Sequence, residues 1–200
     1  MARSRFRGEI VGVGSTSGVR IVVGRWRSSP LGTFADVMIE TAEGQRVLLA
    51  PSQQVAEFVE ATYSFDTVRV EDVRVEEAPD GSWSVRSTSL VLEVRFGGRT
   101  LLGRLLRLVP AGIAESPAWC TVTDLVARVA LRGVRTRGTA GGGRREWYGA
   151  TDHHAVTSLA GAFDGADLGE LSPVLPSPRF GFSSTPATPS ITQVVTTVSW

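Results

Sequence analysis

The feature that most constrains this chain is its punctuation. Through roughly its first half, short runs rich in Val and Ile alternate with Gly, Pro and Asp-Gly turns. The runs at 6–13, 19–26, 34–41 and 46–49 suit a pleated, half-buried surface, because β-branched side chains pack well there. Gly14-Ser15-Thr16-Ser17-Gly18 joins the first two as a hairpin turn, Ser28-Ser29-Pro30 lies in a loop, and Glu43-Gly44 is a further turn. Pro51-Ser52 opens a short helix: Ser52 can cap it, and Val55, Phe58 and Val59 fall at helical spacing. Val68, Val70, Val73 and Val75 read as a strand interrupted by a bulge at Glu71-Asp72. Pro79-Asp80-Gly81 is a turn, and 82–96 is one long strand or two short ones.

The middle of the chain changes period. Leu101, Leu102, Leu105, Leu106, Leu108 and Val109 share one helical arc opposite Arg104 and Arg107, and Pro110 ends it. Ser116-Pro117 starts a second helix carrying Trp119, Val122, Val126 and Val129 on one face. The pattern predicts a helical hairpin over about 100–131, then a mobile Gly/Arg-rich loop over about 132–145. Strands follow at 145–151, 155–163 and 191–200, with a proline-interrupted extended segment before the last. The expected fold is mainly β: an antiparallel barrel or sandwich in one domain spanning 1–200, with an inserted helical hairpin.

Bulk composition narrows the function classes. Apolar residues are 42% and charged residues 20%, as in an ordinary globular chain. The one cysteine, Cys120, excludes an intramolecular disulfide framework and points to a reducing, cytoplasmic setting. No secretory leader is visible after Arg3, Arg5 and Arg7, and no apolar window is long enough for a membrane span. All 21 basic residues are arginine, which indicates a GC-rich genome and makes arginine clusters less informative. A net charge of +1 makes nucleic acid an improbable partner. The arginine-rich loop and the Leu/Arg helix keep nucleic-acid and peripheral membrane contact as alternatives.

Candidate chemistry concentrates in one tract. Gly12 to Gly18 is followed by a strand, where a phosphate loop needs a helix. Arg144 to His154 holds both histidines, Trp147, Tyr148, Glu146 and Asp152. If it is extended, Tyr148, Asp152 and His154 share one face, and Trp147 and His153 the other. Asp152 with His154 is then a candidate catalytic acid/base pair. Trp147, Tyr148, His153 and Arg145 are candidate ligand-binding residues. The histidines lack spaced partners, so no metal site and no cofactor is expected. Cys120 near a helix start reads as a small buried apolar residue or a reactive thiol.

The stretches Phe6-Arg7-Gly8, Thr16 through Gly24, Gly142 through Gly149 and Phe180 through Ser184 resemble a group of actinobacterial proteins of similar length and unassigned function. That resemblance implies origin, with no activity or site to carry over. The layout of many strands with aromatics near a strand end also looks somewhat like a lipocalin or calycin barrel, an architectural analogy. The leading expectation is a β cavity for a small apolar molecule or lipid, with the 101–131 helices as its lid. An Asp/His enzyme is the alternative.

Overall fold

The apolar runs settle into the strands of one strongly curled sheet, a half-barrel. The structure, a computed structural model, describes residues 3–114, 119, 137–139, 145–181 and 183–199. Strands β1 (Arg3–Ser15), β2 (Arg20–Ser28), β3 (Phe34–Glu40) and β4 (Arg46–Ala50) form an antiparallel meander. Helix α1 (Gln53–Glu60) then leads to β5 (Thr67–Val70), which pairs with β4 in parallel at one edge. Ser52 caps α1 through its side chain to the Val55 amide at 3.3 Å.

A second meander, β6 (Arg74–Glu77), β7 (Trp83–Arg86) and β8 (Leu90–Arg99), builds the opposite edge. Between the two meanders run β10 (Arg145–Phe163) and β13 (Ser190–Ser199), with β13 paired antiparallel to both β1 and β10. Short strands β9 (Arg137–Thr139), β11 (Ala166–Asp167) and β12 (Leu171–Ser172) pair with β10, β10 and β1. Helices α2 (Leu101–Leu106) and α3 (Ala111–Ala114) follow β8, with α2 packed against β10.

Three expectations are corrected. The run from Val68 to Val75 is not one bulged strand, because the chain leaves the sheet at 71–73 and β5 and β6 lie at opposite edges. The tract from 145 to 163 is one 19-residue strand, whose bulges absorb the change of register that reads in sequence as a break. Pairing is not antiparallel throughout, since α1 carries the chain into a parallel β5. The second arm of the expected hairpin beyond Ala114, Cys120 and most of the Gly/Arg loop lie outside the described residues.

Curling brings distant strands together on the concave side. Val11, Ile21, Val37 and Leu49 from the first meander share one core with Trp83, Val85 and Leu92 from the second. Arg25 of β2 reaches Glu77 of β6 at 2.9 Å, although four strands of the central sheet and β7 separate them. Strand β8 shows a clean alternation, with Leu90, Leu92 and Val94 buried and Val91, Glu93 and Arg95 exposed. Strand β2 is buried on both faces over Arg20–Gly24, which explains its unbroken Ile21-Val22-Val23 run. Its outer face is covered by α1 and by a proline-rich strap, described over residues 173–181 and 183–189.

Candidate functional site

The open space lies on the outer face, under that cover. Alternation sends Phe6 and Ile10 of β1, Val22 and Trp26 of β2, and Phe34 and Met38 of β3 to this side. The strap crosses the same face. A side chain at Gly12 would run into Thr185, so the glycine lets the strap lie close on β1. The Arg179 amide donates to Glu40 Oε2 at 2.7 Å, and the Ser64 amide donates to the Phe180 carbonyl at 2.8 Å.

Two contiguous chambers result. The larger, about 140 Å³, lies between Ile10, Val22, Val194, Ala150 and the strap residues Pro178 and Phe180. The smaller, about 60 Å³, runs beneath α1 among Phe6, Trp26, Phe34 and Phe58. Both share Ile10, Val22, Met38, Tyr63 and Tyr148. Much of the interior of the half-barrel is filled by the Val, Leu and Ile side chains of the core, and the space that remains there is polar.

Few polar groups converge on this apolar space. At the junction, the Tyr148 hydroxyl donates to Glu146 Oε2 at 2.8 Å, and the Tyr63 hydroxyl contacts both Tyr148 and Glu146. Burial and the Glu146 charge push both phenols well above their ordinary pKa, so they stay protonated. Asp36, 4% exposed, accepts the Trp26 indole N–H at 2.8 Å. Burial pushes its carboxyl up to about 7, against that hydrogen bond. Gly24 makes the pair possible: a Cβ there would sit 2.7 Å from Asp36 Oδ1 and 2.8 Å from Trp26 Nε1. Thr196, 5% exposed, also lines the smaller chamber, and its buried hydroxyl has no hydrogen-bond partner.

A second, polar cleft of about 180 Å³ opens on the concave side, lined by Glu9, Trp83, Phe96, Asp152 and His154 among others. Asp152 is clamped by Arg99 at 2.8 and 2.9 Å and also accepts the His153 amide. The Arg99 guanidinium holds the Asp152 carboxyl down at about 2. Asp152 therefore orients its neighbours and does not take up protons at neutral pH. His154 Nε2 lies 3.6 Å from it, and Nδ1 lies 3.3 Å from the Gly97 carbonyl oxygen. Because the depressed carboxyl stabilises the fold above its unfolded pKa, that stability is lost as pH falls toward 2. Arg99→Ala is expected to move acid unfolding upward by about one pH unit, read by circular dichroism between pH 5 and 2.

The tract that the sequence singles out is thus divided between two faces. Tyr148 lines the apolar cleft, whereas Asp152 and His154 line the polar one. The physical reason is the register shift between Ala150 and Asp152 opposite β13: one extra residue inverts the facing from Asp152 until the shifts opposite β8 between His154 and Ser158. Trp147 is half-buried beside Thr197 in register, and Arg145 is exposed at the start of β10. His153 is buried under α2, with Nδ1 2.8 Å from Thr100 Oγ1 and Nε2 buried without a partner. Burial and the adjacent His154 hold its pKa below the usual imidazole range. On α2 and beyond, Leu101 and Leu108 are exposed, at 73% and 79%. Among the described residues no helix is long and apolar enough to cross a membrane.

Asp36, Tyr63 and Thr196 do not emerge from sequence reasoning, and Glu146 lies in the tract it singles out but receives no role there. Asp36 had a readable signal, as one of two acids, with Glu40, at the same parity as Phe34 and Met38 in a mostly apolar strand. The others become site residues only through contacts between distant parts of the chain.

No family model and no curated protein matches the chain. Among solved structures, the chain is similar to a protein assigned as AttH from Nitrosomonas europaea, at 10% identity and a TM-score of 0.31. That likeness covers 99% of this chain and 51% of the other, so the chain spans about half its length.

Proposed function

We propose that this protein binds a small apolar or amphipathic molecule in the outer-face cleft. The observation that carries the reading is an apolar space with one convergent polar cluster, Tyr63, Tyr148 and Glu146, at its waist. Binding sites for small molecules have this character: mostly apolar walls that supply affinity, and a few fixed polar groups that set orientation. A cavity of about 150 Å³ admits a benzene-sized molecule, so the larger chamber suits one ring or a short chain. The neighbouring smaller chamber accepts an arm attached to it. Tyr148 is then a lining residue, and the strap residues Pro178 and Phe180 form the opposite wall.

The test combines identification with blockage. Small molecules released on denaturation of the purified protein are identified by mass spectrometry, and 2-phenylethanol serves as a defined neutral probe in calorimetry. Ala150→Trp fills the larger chamber from the half-buried side of β10. It is expected to weaken 2-phenylethanol binding at least about tenfold while the thermal midpoint stays within a few degrees. Unchanged affinity in that variant places the probe elsewhere and removes the cleft as the site.

A further inference from the structure

The smaller chamber has a chemistry of its own. Its walls are aromatic: Phe6 lies 4.9 Å from Phe58 and 5.8 Å from Trp26 between ring centroids, and Trp26 lies 6.4 Å from Phe34. An acid, Asp36, stands among these rings and accepts the Trp26 indole N–H. No arginine lines the chamber among the described residues. We infer that this chamber takes the charged nitrogen of an amine, whose apolar remainder occupies the larger chamber. The inference rests on the cleft reading above and names the ligand class.

Three features converge on a cation. Aromatic faces attract a cation within about 6 Å through their quadrupoles, most strongly where water is excluded. A carboxylate supplies the counter-charge that a buried ammonium requires. A primary ammonium also has three N–H donors to satisfy. The lining offers acceptors in kind: the Asp36 carboxylate, the unpartnered Thr196 hydroxyl and the Tyr63 oxygen. Tyr63 retains acceptor capacity because its own proton goes toward Tyr148 or Glu146, and Tyr148 donates to Glu146. An anionic ligand would meet the Asp36 carboxylate, and no arginine of the described lining offsets it.

The groups that bear on Asp36 can be named element by element. Tyr63 faces it from the segment after α1, and Glu146 and Tyr148 from β10. From β1, β2 and β13 the lining is Phe6, Ile10, Val22, Trp26, Thr196 and Val198, none of which ionises in the working range. With both phenols held protonated, Asp36 is a group of this lining whose charge changes near neutrality. Amine binding should therefore strengthen as pH rises through about 7.

The experiment compares 2-phenylethylamine with its neutral analogue 2-phenylethanol by calorimetry on the full chain. At pH 8 the amine is expected to bind at least about tenfold more tightly than the alcohol. Between pH 8 and pH 6 that preference should shrink by about tenfold, since Asp36 passes from mostly ionised to mostly protonated. Asp36→Asn, which keeps an acceptor for Trp26, should abolish the preference of amine over alcohol. Equal affinity for amine and alcohol at pH 8, or a preference that survives Asp36→Asn, overturns the amine inference and leaves the cleft standing. Failure of both probes to bind overturns the cleft reading together with the inference. If Asp36→Asn does not fold, the pH dependence of the native chain decides alone: a preference that does not change between pH 6 and 8 overturns it.

Discussion

Asp36→Asn should make the folded protein more stable at pH 8 by about 3–4 kcal/mol, and should change its stability little at pH 4. The sign follows from where the proton sits. In the unfolded chain the Asp36 carboxyl titrates near 3.8, and in the folded chain near 7. Between those values the folded protein keeps a proton that the unfolded chain has released, so stability falls as pH rises through that window. Above pH 7 the folded protein carries an ionised, buried carboxylate whose main compensation is one indole hydrogen bond. Asparagine preserves that hydrogen bond and removes the charge. Urea unfolding at pH 4 and pH 8 reads the difference directly. A variant that is less stable than the native chain at pH 8 would mean that the carboxylate is compensated there by groups beyond Trp26. A natural sequence that retains such a cost at the floor of a cavity fits a group kept for binding, because stability and function often pull against each other at sites.

Much of the fold was legible because it depends on period and punctuation, both local. The apolar, β-branched runs at 34–41 and 46–49, the Ser52 cap and the Gly14-to-Gly18 turn correspond to β3, β4, α1 and the β1–β2 connection. Failures came where a local pattern has two solutions. Glu71-Asp72 is a bulge if the chain stays in the sheet and a departure if it leaves, and only the partners of Arg74–Glu77 decide. The expected shared face of Tyr148, Asp152 and His154 failed for a sharper reason. Strict alternation from Tyr148 puts Asp152 and His154 beside it, but the bulge at 150–152 inserts one residue and sends them to the concave face. A period of two has no tolerance for one extra residue, so a bulge that the sequence does not announce inverts the assignments up to the next register shift, here those between His154 and Ser158. The apolar cleft was hidden differently. Its outer wall is the strap, whose prolines read as irregular chain, and its position depends on hydrogen bonds to Glu40 and Ser64, far away in sequence.

Glu40→Leu is expected to lose about 3–5 kcal/mol of stability, the range for breaking a buried ion pair from one side. Glu40 is 2% exposed, and its Oε1 accepts from Arg20 Nη2 at 2.6 Å. Arg20 is buried too, gives its other terminal nitrogen to the Gly18 carbonyl, and holds its Nε without a partner. Removing the carboxylate therefore strands a buried guanidinium already short of one acceptor. Replacing both residues, as Arg20→Met with Glu40→Leu, removes the stranded charge and should recover most of the loss, as two apolar side chains of similar volume often match a buried pair. The double variant then separates stability from function. Glu40 Oε2 also accepts the Arg179 amide, which tethers the strap between Pro178 and Phe180, two walls of the larger chamber. Leucine cannot hold that amide. If the tether shapes the cleft, the double variant unfolds in urea nearly as the native chain does yet binds 2-phenylethanol several-fold more weakly. If affinity returns together with stability, the Ser64 amide on the Phe180 carbonyl suffices to seat the strap, and the buried pair serves the sheet alone.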